Sequence, residues 1–204
     1  TSAQALDSWW VEVAMKTIIS FDCETDGRIP GMHSMRQLGA VAFDLYGNEQ
    51  SRFIRNLQPL KGAQTDPDTM KFWSEQPKEV WLRVTKSPGP PEEVICRFFD
   101  WMAKFDKPVL FAAPVMFDGF WLRFYMETFI GQSGFLLFHR ALDARSVVWA
   151  LTGRYTGDWK QWVRAVTQCS VKENPTPHYA LTDALEQGEL LFALMKWPKS
   201  KSKK

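Results

Sequence analysis

Apolar and polar positions fall into three short stretches at the front of the chain. Thr17-Ile18-Ile19 leads a β-branched run that predicts a buried strand over residues 16–22. Residues 38–45 run apolar and predict a second strand. Gly47-Asn48 then signals a turn, and residues 50–57 can pair back as a third. The front therefore reads as an antiparallel meander. The period changes to helical afterwards. Asp66-Pro67 supplies an N-cap and a first-position proline ahead of Met70, Phe72 and Trp73. Val80, Trp81 and Val84 predict a further short helix. Pro90-Pro91-Glu92-Glu93 opens a stronger one, with apolar positions Val94, Ile95, Phe98, Met102 and Phe105.

Residues 108–111 form a compact apolar run after that helix, predicting a buried strand reached by a crossover and so parallel. Asp118 opens the next helix, through Trp121, Leu122, Tyr125 and Met126, and Gly131 and Gly134 break it. A short strand at 135–138 and helices at 143–151, 159–166 and 179–195 complete the pattern. Ahead of Met15, Leu6, Trp9, Trp10 and Val13 have helical spacing. Residues 1–15 are an N-terminal extension, either helical or an addition before a native start at Met15. Residues 197–204, rich in lysine, predict a disordered tail. The order of elements gives one α/β domain over 16–196, with a mixed sheet flanked by helices.

Composition adds bounds. The formal net charge is +2, so the molecule as a whole is no strong polyanion magnet, although a local basic groove is compatible with it. Three cysteines, Cys23, Cys96 and Cys169, without a CxxC pair argue against a disulfide scaffold or a thiolate zinc site and for a reducing compartment. No apolar run approaches the ~20 residues of a membrane span. These features predict a soluble, intracellular, cytoplasmic protein, with the nucleus left open. The tryptophans Trp73, Trp81 and Trp101 read first as core.

The chemistry starts on the first strand. Asp22 and Glu24 are two apart, so they share a strand face, and Cys23 points the other way. Two carboxylates on a buried strand repel each other and are costly to desolvate unless a cation sits between them. Hard divalent cations with oxygen ligands are the usual solution. Asp118 at a helix start and Asp183 early in the last helix are further acids. Alone, an Asp at a helix start is usually a cap, and His178 beside Pro177 is usually a surface residue. Cys23 reads as packed rather than nucleophilic, since nearby anions raise a thiol's pKa.

Asp22-Cys23-Glu24-Thr25-Asp26-Gly27 resembles the first motif, D-x-E-T-x-G, of the DEDDh 3′→5′ exonucleases. Arg36-Gln37-Leu38-Gly39-Ala40-Val41 looks like that family's second strand. Phe117-Asp118-Gly119-Phe120 resembles its second motif, and His178-Tyr179-Ala180-Leu181-Thr182-Asp183-Ala184 its third, H-x-A-x-x-D. Leu142-Asp143-Ala144-Arg145 is similar to its intermediate D-T-L element. Phe72-Trp73 with Gln76 is similar to a tryptophan-containing segment of phage exonucleases and small bacterial exoribonucleases. The second motif departs in one respect: Ala112-Ala113-Pro114 stands where the family carries an Asn.

The resemblance, over residues 16–195, implies a ribonuclease H-like fold and hydrolysis at the 3′ ends of single-stranded DNA or RNA, releasing nucleoside 5′-monophosphates. It implies that Asp22, Glu24, Asp118 and Asp183 hold two Mg²⁺ or Mn²⁺ ions about 3.5–4 Å apart, one activating a water and one stabilising the leaving oxygen. It makes His178 the general base, imidazole being able to take a proton near neutral pH. It places Cys23 and Thr25 at the terminal nucleotide. A homodimer is expected by analogy. The rival readings are a catalytically weak relative acting as a nucleic-acid or protein binding module, and an endonuclease on the same fold.

Overall fold

The computed structural model describes residues 17–131 and 141–197. The expected N-terminal helix, the strand at 135–138 and residues 198–204 of the lysine-rich tail lie outside the described residues, whereas Trp197, the first residue of that tail, packs edge-on to Trp162 at 6.3 Å. Among those described, the first three strands are β1 (Thr17–Thr25), β2 (Met35–Asp44) and β3 (Glu49–Asn56). The helices α1 (Pro67–Glu75), α2 (Lys78–Thr85) and α3 (Pro91–Met102) follow, and then β4 (Pro108–Ala112). The rest is α4 (Val115–Phe129), β5 (Ala141–Asp143), α5 (Ala144–Thr152), α6 (Trp159–Thr167) and α7 (Ala180–Met195).

The sheet order is β3-β2-β1-β4-β5. β1 pairs antiparallel with β2 and parallel with β4, as the meander and the crossover require. β1 is thus central and buried on both faces. Ile19, Phe21 and Cys23 join a core with Phe53, Val94, Ile95, Phe98, Trp121 and Tyr125, under α3 and α4. Ile18 on the opposite face joins Val41, Phe43, Phe111, Val148, Val163, Leu190 and Leu191, under α5, α6 and α7. A two-residue period on one strand thus serves both layers.

Some element boundaries differ from the pattern. β1 runs on to Thr25, because the motif's polar residues stay in the ladder with β2 and face the site rather than solvent. α4 starts at Val115, so Asp118 lies in its first turn rather than at its cap. α3 ends at Met102, leaving Phe105 beyond it, edge-on to Trp101 at 5.1 Å. β5 has three residues, too few for a period to show. Asp143 caps α5, accepting from the Ser146 N–H at 2.9 Å, and its second oxygen takes the Val115 N–H at 3.1 Å. The residues similar to a D-T-L element therefore join the starts of two helices.

Candidate functional site

Asp22 and Glu24 lie on the α7 face of β1. What brings α7 close is Gly39, the partner of Asp22 across the β1–β2 ladder. A Cβ at Gly39 would lie 2.3 Å from the Ala180 carbonyl carbon and from the Leu181 nitrogen, so α7 can start there only on a glycine. Gln37 fixes the contact: its Oε1 accepts the Ala180 N–H at 2.9 Å. One turn into α7, Asp183 faces the strand. Asp22, Glu24 and Asp183 offer carboxylate oxygens that all lie within 4.8 Å of one another.

Asp118 approaches from the other side of β1. The β1–β4 pairing ends at Ser20 and Phe111, so the Cys23 N–H has outrun that strand. The Asp118 Oδ1 accepts it at 3.0 Å. This backbone donor holds the carboxylate that the absent Asn would have been expected to support. The Cys23 side chain points into the opposite core, buried, with Sγ 3.9 Å from the Asp118 carbonyl oxygen. Cys23 thus meets the site through its backbone and not its thiol.

His178 has φ +60° and sits edge-on to Phe72 and Trp73, with ring centroids 5.0 and 6.0 Å apart. Trp73 is anchored by its indole N–H, which donates to the Thr25 carbonyl at 2.9 Å. The third motif, the end of β1 and the α1 aromatics therefore form one wall. The Thr25 hydroxyl donates to the Gly27 carbonyl at 2.8 Å, stiffening the turn after the strand. Trp73 and Trp101 are buried, in keeping with core, whereas Trp81 is half-buried.

Four residues of the site were not read from the sequence. Lys160, on α6, places Nζ 3.5 Å from the Asp183 Oδ1 and 2.6 Å from the Glu186 Oε2. Glu186 is buried and also accepts from Arg164 and from the Asn174 N–H. Asn174 in turn donates to the Asp183 Oδ1 at 3.1 Å, and the Tyr179 N–H to its Oδ2 at 3.2 Å. Gln187 donates to the Asp22 Oδ1 at 3.0 Å. Gln187 follows Asp183 by one helical turn, the one spacing from which it could have been read.

Burial is the main force on the carboxyls, with mutual repulsion behind it. It pushes Asp22 well above the carboxylate range, aided by Asp118, Glu24 and Asp183, and opposed by Lys160. It does the same to Glu24, aided by Asp183 and Asp118. Asp118 is pushed up to about 7, its bond from Cys23 working the other way. Burial likewise raises the Cys23 thiol, with the three acids adding to it.

This donor set fits a hard divalent cation. Among the described residues, Lys160 is the cation paired with this acidic set, through Asp183, and its charge is shared with Glu186. Gln187 adds an oxygen, Oε1, that is buried and has no hydrogen-bond partner among the described residues.

No curated protein sequence matches the chain. Several solved nuclease structures share its fold. Cell-death related nuclease 4 (CRN-4) superposes with a TM-score of 0.65 at 12% identity, over 89% of this chain and 64% of that one. E. coli exonuclease I in complex with a dT13 oligonucleotide gives 0.66 at 14%, over 90% and 42%. S. pombe Pop2p in its Mg²⁺- and Mn²⁺-bound form gives 0.63 at 11%, over 93% and 86%. The chain thus spans less than two thirds of CRN-4 and under half of exonuclease I. These likenesses establish the ribonuclease H-like exonuclease fold expected from the motifs. The model of the 3′-5′ exoribonuclease Rv2179c-like domain matches residues 17–195, and the chain belongs to that family of 3′-5′ exonucleases.

Proposed function

We propose that the protein is a DEDDh-type exonuclease that hydrolyses the last phosphodiester bond at the 3′ end of single-stranded DNA or RNA, releasing nucleoside 5′-monophosphates. The observation that carries this reading is the meeting of Asp22, Glu24 and Asp183 within 4.8 Å, with Asp118 held beside them by the Cys23 N–H. Asp22, Glu24, Asp118 and Asp183 would hold two divalent ions, Mg²⁺ or Mn²⁺. Bound there, such ions supply a more acidic water and charge neutralisation at the leaving oxygen.

The chain's own residues do the rest. His178 takes a proton from the attacking water as its oxygen bonds to phosphorus. The bond from phosphorus to the 3′ oxygen of the penultimate nucleotide breaks, that oxygen takes a proton from solvent water and leaves as a hydroxyl, and His178 returns its proton to solvent. Phe72 and Trp73 restrict the imidazole, and Trp73 ties it to the end of β1 near Thr25. Thr25 stands beside the terminal nucleotide, and the backbone of Cys23 orients Asp118. Lys160, between Asp183 and Glu186, keeps Asp183 aimed at the strand.

The test is a 5′-labelled single-stranded oligonucleotide, as DNA and as RNA, incubated with Mg²⁺, Mn²⁺ or chelator. A ladder shortening one nucleotide at a time, with 5′-monophosphates released and no loss in chelator-treated controls, is expected. Internal fragments as first products, or equal loss in chelator, refute it.

A further inference from the structure

Beside the carboxylates, on the β2–β3 side, a groove of about 310 Å³ is lined by Arg55, Arg83, Lys86 and Tyr179, with Gln37 and Asn56 at its floor. None of the three cations pairs with an acid among the described residues. Lys86 is exposed, and Arg83 is half-buried with its guanidinium 5.2 Å from the Tyr179 ring centre. Arg55, next to Asn56 on β3, turns to the opposite face, with its guanidinium 5.7 Å from the Phe53 ring centre and bonded to the Ile54 carbonyl at 2.7 Å. Asn56 donates to the carbonyls of Arg83 and Lys86 at 2.8 and 2.7 Å. The end of α2 therefore turns its acceptors inward and leaves the side-chain charge facing out.

The groove is joined to the candidate site by the sheet register. Glu24 pairs with Gln37, and Gln37 with Asn56, so the three stand in a row on one face. Two strand spacings separate Glu24 from Asn56, about 10 Å. The Gln37 side chain bonds Asn56 in that row, donating from Nε2 at 2.7 Å, and accepts the Ala180 N–H at the start of α7. Tyr179, next to His178, forms the boundary.

The geometry points to a phosphate-binding track in which Arg83 and Lys86 hold the sugar-phosphate backbone of the strand upstream of its 3′ end. This rests on the nuclease reading above and extends it from the scissile bond to the strand behind it. A separation of ~10 Å lies beyond the scissile phosphate itself, so the groove meets phosphates upstream of it. A basic groove that tracks the backbone beside an aromatic ring is the usual arrangement for sequence-independent binding of single strands. A dinucleotide has only the scissile phosphate and cannot reach the groove.

The experiment compares the wild type with Arg83→Gln/Lys86→Gln and with the milder Lys86→Gln, which leaves the Tyr179 contact intact. Substrates are a dinucleotide and a decamer, each as RNA and DNA. The double variant is expected to raise KM for both decamers at least 10-fold, with kcat and the dinucleotide KM within 2-fold. The single variant should fall between. Anisotropy of a labelled decamer on the metal-free protein gives a readout that needs no catalysis. Its log Kd against log salt slope should fall by about 1.4 for two lost phosphate contacts at ~0.7 each. An unchanged decamer KM and salt slope overturns the proposal, as does equal loss on the dinucleotide or displacement of the decamer by polyglutamate as readily as by unlabelled decamer. If the wild type digests neither substrate, the nuclease reading fails instead, while the salt slope still decides whether the groove binds phosphates.

Discussion

Asp118 is the carboxyl whose perturbation can be worked through most fully. Burial lifts it from an ordinary value of 3.8 to about 7, with Asp22, Glu24, Asp183 and Lys160 as its charged neighbours. The folded protein therefore holds a proton there that the unfolded chain releases near pH 4. The stability it brings is complete below pH 4 and is lost as pH rises to about 7. At ~1.4 kcal/mol per pKa unit, the roughly three-unit rise corresponds to about 4 kcal/mol in metal-free protein above pH 7. Asp118→Asn removes the titration and keeps an oxygen for the Cys23 N–H. In chelator, the variant should match the wild type near pH 4 and exceed it by up to about 4 kcal/mol at pH 8. Urea unfolding at half-unit pH intervals measures this. Adding Mg²⁺ at pH 8 should stabilise the wild type far more than Asp118→Asn. Parallel pH profiles for the two proteins in chelator, or a variant less stable than wild type at pH 8, would refute the reasoning.

Other expectations are narrower. His178→Ala should lower kcat by ~10²–10⁴-fold with KM within about 3-fold, since it removes a proton acceptor and no carboxylate; steady-state kinetics with unchanged turnover would overturn the general-base role. Gly39→Ala drives a methyl into the Ala180–Leu181 backbone and should cost about 1–3 kcal/mol in urea unfolding while also slowing turnover, because α7 carries Asp183. Full stability would mean that α7 does not start against β2. Arg164→Met leaves buried Glu186 with Lys160 as its remaining cation and should cost about 2–3 kcal/mol, with Glu186→Gln restoring part of it. If the second change adds its own full cost, the ion network is not what holds that corner.

Much of this was legible in the sequence, for physical reasons that also mark its limits. Period two over Thr17–Thr25 places Asp22 and Glu24 together and Cys23 opposite, and the core contacts of Ile18 and Ile19 follow the same alternation. Helical spacing and the Asp66-Pro67 cap located α1, where Asp66 accepts the Thr69 N–H at 3.1 Å. Helix boundaries near Asp118 were less readable, because Pro114 rather than an Asx or Ser residue precedes α4. The donor to Asp118 is a backbone N–H, and every residue has one, so sequence could not single out Cys23. Lys160 and Glu186 face each other across α6 and α7, 26 residues apart, a pairing that only tertiary packing creates. Gly39 was visible as part of a motif, but the reason for it, the approach of Ala180, was not.

The central claim is that the four acids form one metal-dependent centre acting at 3′ ends. The most direct test is metal titration by calorimetry on wild type and Asp22→Asn, paired with product analysis of an oligonucleotide labelled at its 3′ end. Stoichiometric Mg²⁺ or Mn²⁺ binding that Asp22→Asn abolishes is expected, with the labelled 5′-monophosphate as the first product and none formed in chelator. Unchanged metal binding in Asp22→Asn, or label released first on longer fragments, would contradict it.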